Sequence, residues 1–570
     1  MKNKIILSTI FLLALVLRFW NLSVYPDAID EDEMALGYNA YSLLHGGIDE
    51  WGNKFPLYFE SGGDYKYGLY SYVDTIPVAL FGLNTFSTRS VAALAGSLSV
   101  VVVYFLVKEL SKKEGLSLLS AFVLSVSPTF VHFSRVGYNN VLGALFAVSC
   151  ALFYIKWINH SKAKHFIFSL IFFVLSLFSY QAYRIFTPVV ILAISFIYFL
   201  EAKWNLRKQL ILSAVLFVGL TVVSFIPAAS RTRTQDYTIL INKPKLIEEF
   251  AEDNQLGVNL IATRLFHNKI ISIGIGAATR YFSYFDPTFL FVTTSENTQR
   301  HSIPNIGFLY LIEAPLFLIG IFYLFKHLKS KESWIIIAIL LASPMAASMV
   351  VEPRSTIRSI VMAIPMSIVI SVGIYQLIKI KKVGNYLLVA VLILYIANVS
   401  YFLHEYFIHK TYHHAWYGDV GLSQMVEGVS RLQGKYSAVV MSHVHYMPYL
   451  FFNKVKPQDF IANSDFYENP PPGLARIKRY GKIHFNMPYD CPNAGKLNVL
   501  YVCFGTKVPK FATVIDVIRY RDTLPAIFFI EFTGVASKTE LPARLTYGDS
   551  DSRFPTGIIP DSYPSFWSQD

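Results

Sequence analysis

The sequence predicts a polytopic α-helical membrane protein of about eleven transmembrane helices, followed by a small C-terminal extracytoplasmic α/β domain. Three observations predict it. Of 570 residues, 54% are hydrophobic and only 15% are charged, a balance far from that of an ordinary soluble chain. Apolar stretches of about 17–22 residues recur, long enough to cross a hydrocarbon core of about 30 Å at about 1.5 Å per residue. Lysine clusters fall at every second boundary between these stretches, as retention of cations on the cytoplasmic side requires.

The stretches lie near residues 5–24, 90–107, 116–132, 140–157, 165–182, 185–201, 209–229, 303–325, 333–351, 357–378 and 384–403. The first, "MKNKIILSTIFLLALVLRFWNL", is too long for a signal peptide and no small-residue cleavage site follows it, so it reads as a retained anchor. Lys2 and Lys4, Lys108 with Lys112 and Lys113, Lys156 with Lys162 and Lys164, Lys203 with Arg207 and Lys208, Lys326 with Lys329 and Lys331, and Lys379 with Lys381 and Lys382 mark the inner boundaries. An eleven-span chain that starts inside fits all six clusters. It makes residues 1–403 a plasma-membrane domain, with long external loops at 25–89 and 230–302, and places everything after Leu403 outside. Both loops are rich in Tyr, Phe and Trp, which predicts short helices lying at the interface.

Residues 404–550 change character. Leu422, Met425, Val426, Val429 and Leu432 recur at helical spacing, and "YSAVVMS", "LNVLYVCF", "FATVIDVI" and "AIFFIEF" read as strands from Tyr436, Leu497, Phe511 and Ala526. "NPPPG" at 469–473 forces a loop, and residues 551–570 form a loose tail.

The formal net charge is +12, but much of the excess sits in the membrane-edge clusters, where topology and anionic lipid account for it. Nucleic acid is therefore excluded as a partner, and membrane lipids are expected. The three cysteines define no zinc motif; Cys150 falls in a span, and spacing alone leaves open whether Cys491 and Cys503 pair. No Walker motif or dinucleotide fingerprint is present.

Chemistry concentrates just after the first span, in "YPDAIDEDEMALGYNAYSLLHGG", where five carboxylates stand within residues 27–33. Asp32 and Glu33 precede a predicted helix from Met34 to Leu44 that the following "HGG" ends. Capping would explain one acid, not five. Asp27, Asp30 and Asp32 make a candidate weak site for a divalent cation, since hard cations take carboxylates, although the clustering is too local to demonstrate one. No other cofactor is implied.

Arginine is segregated from lysine. Of the twelve arginines before residue 404, only Arg207 falls on the cytoplasmic side; Arg18, Arg89, Arg135, Arg184, Arg231, Arg233, Arg264, Arg280, Arg300, Arg354 and Arg358 fall on or near the external side. Snorkelling and headgroup contact account for Arg18 and for about half of the others. Arg135, Arg184 and Arg358, where spans meet the outer surface, are the candidates for a shared anionic ligand, because the guanidinium fork binds phosphate through paired hydrogen bonds.

External carboxylates facing external arginines suit a reaction that needs a base and a phosphate leaving group. Sugar transfer from a lipid phosphate to an acceptor hydroxyl is one: a carboxylate removes the hydroxyl proton while cations stabilise the departing phosphate. Two rivals remain. A transporter or flippase of lipid-linked sugars would place ionisable groups near the midplane, where Glu313 is the main example here. A non-catalytic receptor would leave the arginine segregation unexplained.

The acidic pair opening an aromatic helix, then "GDYKYGLYSY" at 63–72, "FGLNTFSTRSVAALAG" at 81–96, "YFSYFDPTFLF" at 281–291, "RHSIPNIGFLYLIEAPLFLIG" from Arg300 and "RSTIRSIVMAIP" at 354–365, resembles the GT-C membrane glycosyltransferases. Within them the pattern is that of the protein O-mannosyltransferase and lipid A aminoarabinose transferase branch, over roughly residues 10–450. The resemblance implies a GT-C-like fold, Asp32 as catalytic base with Glu33 beside it, and a donor-phosphate element that Lys66 and Leu69 match in part. Asp64 stands one place too early for that element's acid, and Tyr67 and Gly68 replace its two prolines. His301 falls where such enzymes present a polar residue to the donor.

The expectation is thus an inverting hexosyl- or pentosyltransferase using a polyprenyl phosphate sugar. Lys66, Arg135, Arg184, Arg358 and His301 would hold the donor phosphate, and Tyr38, Asp64, Tyr65 and Tyr138 would line the sugar pocket. The acceptor is an extracytoplasmic protein, lipid or glycan.

Overall fold

A computed structural model describes residues 2–227, 243–294, 299–350, 354–410, 420–468, 475–487, 490–504, 508–509, 511–521 and 523–533. Arg231 and Arg233, the "NPPPG" loop and the 551–570 tail lie outside the described residues. The chain divides into two compact units. The first comprises Met1–Phe59, Tyr65–Val420 and Lys454–Gln458, and the second Glu60–Asp64, Gly421–Asn453 and Asp459–Asp570.

The first unit is helical. Its opening part runs α1 (Lys2–Phe19), α2 (Glu31–Leu44), the short strands β1 (Tyr58–Ser61) and β2 (Asp64–Tyr67), whose Glu60, Ser61 and Asp64 count with the second unit, α3 (Leu69–Phe81), α4 (Thr85–Ser111), α5 (Glu114–Val126), α6 (Pro128–Ser134), α7 (Asn139–His160), α8 (Ala163–Leu177), α9 (Tyr183–Phe199) and α10 (Trp204–Ser224). Each of the eleven apolar stretches contains a helix, but among the described residues six helices are long and apolar enough to cross a membrane, or seven if α5 and α6 are one bent span. The difference from eleven has local causes. α1 carries Lys2, Lys4 and Arg18 within 18 residues, and α8 and α9 have only 15 and 17 residues, short of the roughly 20 that span a bilayer without tilt or thinning. The α5–α6 pair bends by 61° at Pro128, which has no N–H to continue the ladder.

The long helices divide into inner and outer ones. In the span Thr356–Ile378, 89% of the apolar window is buried in the protein, against 11% for Gly384–His409 and 17% for α10, so the first is central and the other two present their apolar sides outward. Small residues permit the tight central packing: a Cβ on Gly373 would sit 2.0 Å from the Leu316 carbonyl oxygen, and one on Gly320 2.0 Å from that of Val369. α4 starts with a reciprocal capping box between Asn84 and Ser87 and packs on α1, α5 and α7.

Loop 25–89 is not a surface apron. It holds α2, ten of whose 14 residues are buried, and the apolar α3. Segment 230–302 contains the short helices Lys243–Gln255, Leu260–Phe266, Lys269–Ser283 and Pro287–Phe291.

The second unit is built on a seven-stranded sheet in the order β4 (Ser464–Phe466), β5 (Ile477–Tyr480), β6 (Ile483–Met487), β3 (Ala438–Ser442), β7 (Val499–Phe504), β9 (Pro525–Phe532) and β8 (Ala512–Arg519). β3 runs parallel to both β6 and β7, and the other pairings are antiparallel. Every residue of β7 is buried. The helix Leu422–Leu432 buries Leu422, Met425, Val426, Val429 and Leu432, the stripe its spacing predicts. Cys491 and Cys503 are joined in a disulfide.

Candidate active site

The acidic run is the first turn of α2. Asp30, in extended conformation, is the N-cap; its side chain accepts from the Glu33 N–H at 2.9 Å, and the Glu33 carboxylate accepts from the Asp30 N–H at 3.3 Å. The helix therefore starts three residues before the predicted Met34, and Asp32 and Glu33 lie inside it rather than ahead of it. Successive helical residues point about 100° apart, so the four acids from Asp30 to Glu33 are dealt to different neighbours.

Glu33 turns inward. It is 1% exposed, and Arg89, fully buried, grips both its oxygens at 2.8 and 3.0 Å. The Gly137 N–H adds a third bond at 2.6 Å, and Arg89 also donates to the carbonyls of Pro26 (2.8 Å) and Ala28 (2.6 Å). This pair ties α2 to α4 and to the segment between α1 and α2. Glu33, expected beside the catalytic base, thus has both carboxylate oxygens engaged by buried protein groups.

Asp32 turns outward. Its Oδ1 lies 2.5 Å from Lys66 Nζ on β2; the Asp32 side chain is 44% exposed and that of Lys66 only 8%. A buried ammonium thus holds an accessible carboxylate. Asp30 accepts from the Tyr138 hydroxyl and pairs with Arg300 Nη1 at 3.1 Å. Burial, then the negative charges of Glu33 and Asp32, raise the Asp30 carboxyl to about 6, against the opposing pull of Arg300 and the Tyr138 hydrogen bond. Glu31, half-buried by surface area, is raised to about 8, first by desolvation and then by Asp32 and Asp30, with Lys66 and Arg300 opposing. The acids and cations therefore act on one another as a single cluster.

Arg300 and His301 sit in a short turn, Gln299–His301. The His301 ring is 9% exposed and packs against Phe133 and Tyr138, with centroids 5.9 and 5.8 Å away. Burial, then Arg300, His132, Arg358 and Lys410, hold its pKa well below the ordinary value. Burial thus disfavours the cationic form of His301. Arg358 is half-buried, within electrostatic reach of His301, and donates to Ser355 Oγ at 3.1 Å.

Two predicted phosphate ligands bond to protein groups. Arg135, fully buried, donates to the carbonyls of Leu17, Arg18, Trp20 and Tyr25 at 2.8–3.2 Å. These include the orphan carbonyls of the last turn of α1, where a cation also complements the helix dipole. Arg184 donates to the Leu177 carbonyl at 3.2 Å and to the Tyr58 hydroxyl, and stacks over Tyr67 at 4.8 Å. Tyr38 is buried and its hydroxyl donates to the Val455 carbonyl at 2.9 Å, so it does not line an open pocket. Tyr138 does reach the cluster through Asp30. Asp64 and Tyr65 lie half-buried on β2. Arg18, expected to snorkel, is instead buried and bonded to the Ser125 carbonyl at 2.9 Å.

Asp27, Asp30 and Asp32 do not form a metal cage: among the described residues no group of three or more His, Cys, Asp or Glu side chains is disposed to hold an ion. Asp30 is engaged by Tyr138 and Arg300, and Asp32 by Lys66. Glu313, the group that most favoured a transporter, accepts from the Tyr395 hydroxyl and the Tyr310 N–H, both at 2.8 Å, at the start of the helix Glu313–Lys326. Sequence reasoning missed Arg300, Glu31 and Arg89 as members of this centre. Glu31 stands in the acidic run and Arg89 and Arg300 in the external arginine set, which were the signals available for them.

No curated protein matches the chain in sequence. Among solved structures, the oligosaccharyltransferase AglB of Archaeoglobus fulgidus, in complex with an inhibitory peptide and a dolichol-phosphate, is 14% identical with a TM-score of 0.49, over 79% of this chain and 63% of that one. ArnT of Cupriavidus metallidurans bound to undecaprenyl phosphate is 11% identical with a TM-score of 0.47, over 92% of this chain and 97% of that one. The chain thus spans under two thirds of the archaeal enzyme's length. A protein-family model described as dolichyl-phosphate-mannose-protein mannosyltransferase matches residues 69–227. That segment takes in Arg89 and Tyr138, but not Asp32, Lys66 or Arg300. Over residues 69–227, then, the chain resembles the dolichyl-phosphate-mannose-protein mannosyltransferases, the branch to which its external motifs point.

Proposed function

We propose that this chain is an inverting glycosyltransferase that moves a hexosyl or pentosyl group from a polyprenyl phosphate to a hydroxyl of an extracytoplasmic acceptor. The observation that carries the reading is the exposed Asp32 carboxylate, held 2.5 Å from the buried Lys66 ammonium beside the Asp30–Arg300 pair. A base must be accessible and a leaving phosphate must meet positive charge, and this cluster offers both. The family description, with its dolichyl phosphate sugar, supports the donor class. The Cys491–Cys503 disulfide supports an oxidising compartment for the second unit, and the lysine boundaries support the cytoplasmic membrane with the site on its outer face.

In the step we envisage, Asp32 takes the acceptor O–H proton as the acceptor oxygen bonds to the anomeric carbon. The bond from that carbon to the phosphate oxygen breaks, and its electron pair leaves with the lipid phosphate. Lys66, Arg300 and Arg358 stabilise the charge gathering on that phosphate, where preorganised donors in a dry site count most. Lys66 also orients the Asp32 carboxylate through their hydrogen bond. The test is turnover by purified protein. Incubated with a polyprenyl phosphate sugar and candidate acceptors, it should release free lipid phosphate, which neither a flippase nor a receptor would do.

A further inference from the structure

Three successive carbonyls, those of Arg300, His301 and Ser302, are each held by a side chain from a different part of the first unit. His132 Nε2 lies 2.8 Å from the Arg300 oxygen, Thr356 Oγ1 donates to that of His301 at 2.9 Å, and Lys410 Nζ to that of Ser302 at 2.6 Å. Facing a carbonyl, His132 Nε2 must carry its proton. The three donors come from α6, from the start of the helix Thr356–Ser359 and from just beyond the span Gly384–His409. All are buried, at 1%, 0% and 6% exposure.

Burying a lysine and a histidine against backbone is costly, since both give up water. What they secure is the short turn Gln299–His301 and the residue after it, whose Arg300 side chain reaches Asp30 at 3.1 Å. Site chemistry is sensitive to such placement: a displacement of about 1 Å can cost roughly 100-fold.

We infer that His132, Thr356 and Lys410 are positioning residues that lock the 300–302 turn so that Arg300 meets the phosphate group of a polyprenyl phosphate ligand. The inference rests on the donor class proposed above but not on turnover. None of the three need touch the ligand.

The experiment is calorimetric titration of farnesyl phosphate into the purified full-length protein in detergent. The variants are Lys410→Met and Thr356→Val, their conservative counterparts Lys410→Arg and Thr356→Ser, and Arg300→Met as reference. Lys410→Met and Thr356→Val should each weaken binding by roughly tenfold or more, toward the level of Arg300→Met. Lys410→Arg and Thr356→Ser should recover most of the loss, which a general loss of fold would not allow. Inorganic phosphate should bind at least tenfold more weakly than the prenyl ester, and equal binding would overturn the lipid source. Wild-type affinity in both Lys410→Met and Thr356→Val, or in Arg300→Met itself, would overturn the inference. The expected pattern in a protein that transfers no sugar would sink the transferase reading and leave the positioning role standing.

Discussion

Lys66 Nζ and Asp32 Oδ1 are 2.5 Å apart, and the two side chains differ sharply in exposure, 8% against 44%. The cation is the fixed partner and the carboxylate the one that solvent, or a substrate, can reach. A charge-assisted hydrogen bond is worth about 1.5–3 kcal/mol, so Lys66→Met should lower kcat/KM for the donor by roughly 10- to 150-fold. Steady-state kinetics with the donor varied checks this, and a loss under about twofold would assign Lys66 to the frame alone.

The Arg89–Glu33 pair is a buried ion pair joining α2 to α4. Arg89 is fully buried and Glu33 1% exposed, and removing one partner of such a pair leaves a buried charge, at a cost of about 3–5 kcal/mol. Arg89→Met should therefore melt well below wild type in detergent. Glu33→Gln, which keeps the shape and some of the hydrogen bonds, should fall between.

Arg135 offers a contrast with Arg300. Its donors serve carbonyls at the end of α1, so Arg135→Lys should lower the melting temperature while leaving the donor KM of the folded fraction unchanged. Arg300→Met should do the reverse. A raised KM in the Arg135 variant would return that residue to the phosphate site.

Acidity gives a signed prediction. Glu31 is raised from 4.5 to about 8 and Asp30 from 3.8 to about 6, in each case chiefly by burial. Between the ordinary and the raised values the folded chain keeps protons that the unfolded chain has lost. The stability these groups contribute is therefore full below about pH 4 and lost as pH rises through 6 and then 8. The melting temperature should drop from pH 5 to pH 9, and Glu31→Gln should flatten the drop. A melting temperature that climbs over that range contradicts the assignment.

What was legible in the sequence follows from range. The apolar stretches and the stripe of Leu422–Leu432 are local patterns, and each marks a helix. The four β-rich runs became β3, β7, β8 and β9, whereas β4 and β5 are shorter, and β4, β5 and β6 carry charged or polar residues such as Asp465, Lys478 and His484, which blur the alternation. At the site, residue type announced chemistry but not direction. Five neighbouring acids look alike in a string, and only the turn of α2 sends Glu33 to Arg89 and Asp32 to Lys66. Arginine at a span's end reads the same whether it waits for a phosphate or, like Arg135, closes a helix from across the fold. That choice depends on contacts more than a hundred residues away.

The most direct measurement is transfer from a radiolabelled polyprenyl phosphate sugar in membranes carrying Asp32→Asn. The amide keeps the side chain's shape and removes the base, whose contribution is about 100- to 10,000-fold. Transfer should fall by at least about 100-fold with the protein present at its normal level. Transfer at the wild-type rate would show that Asp32 is not the base and that the chemistry lies elsewhere.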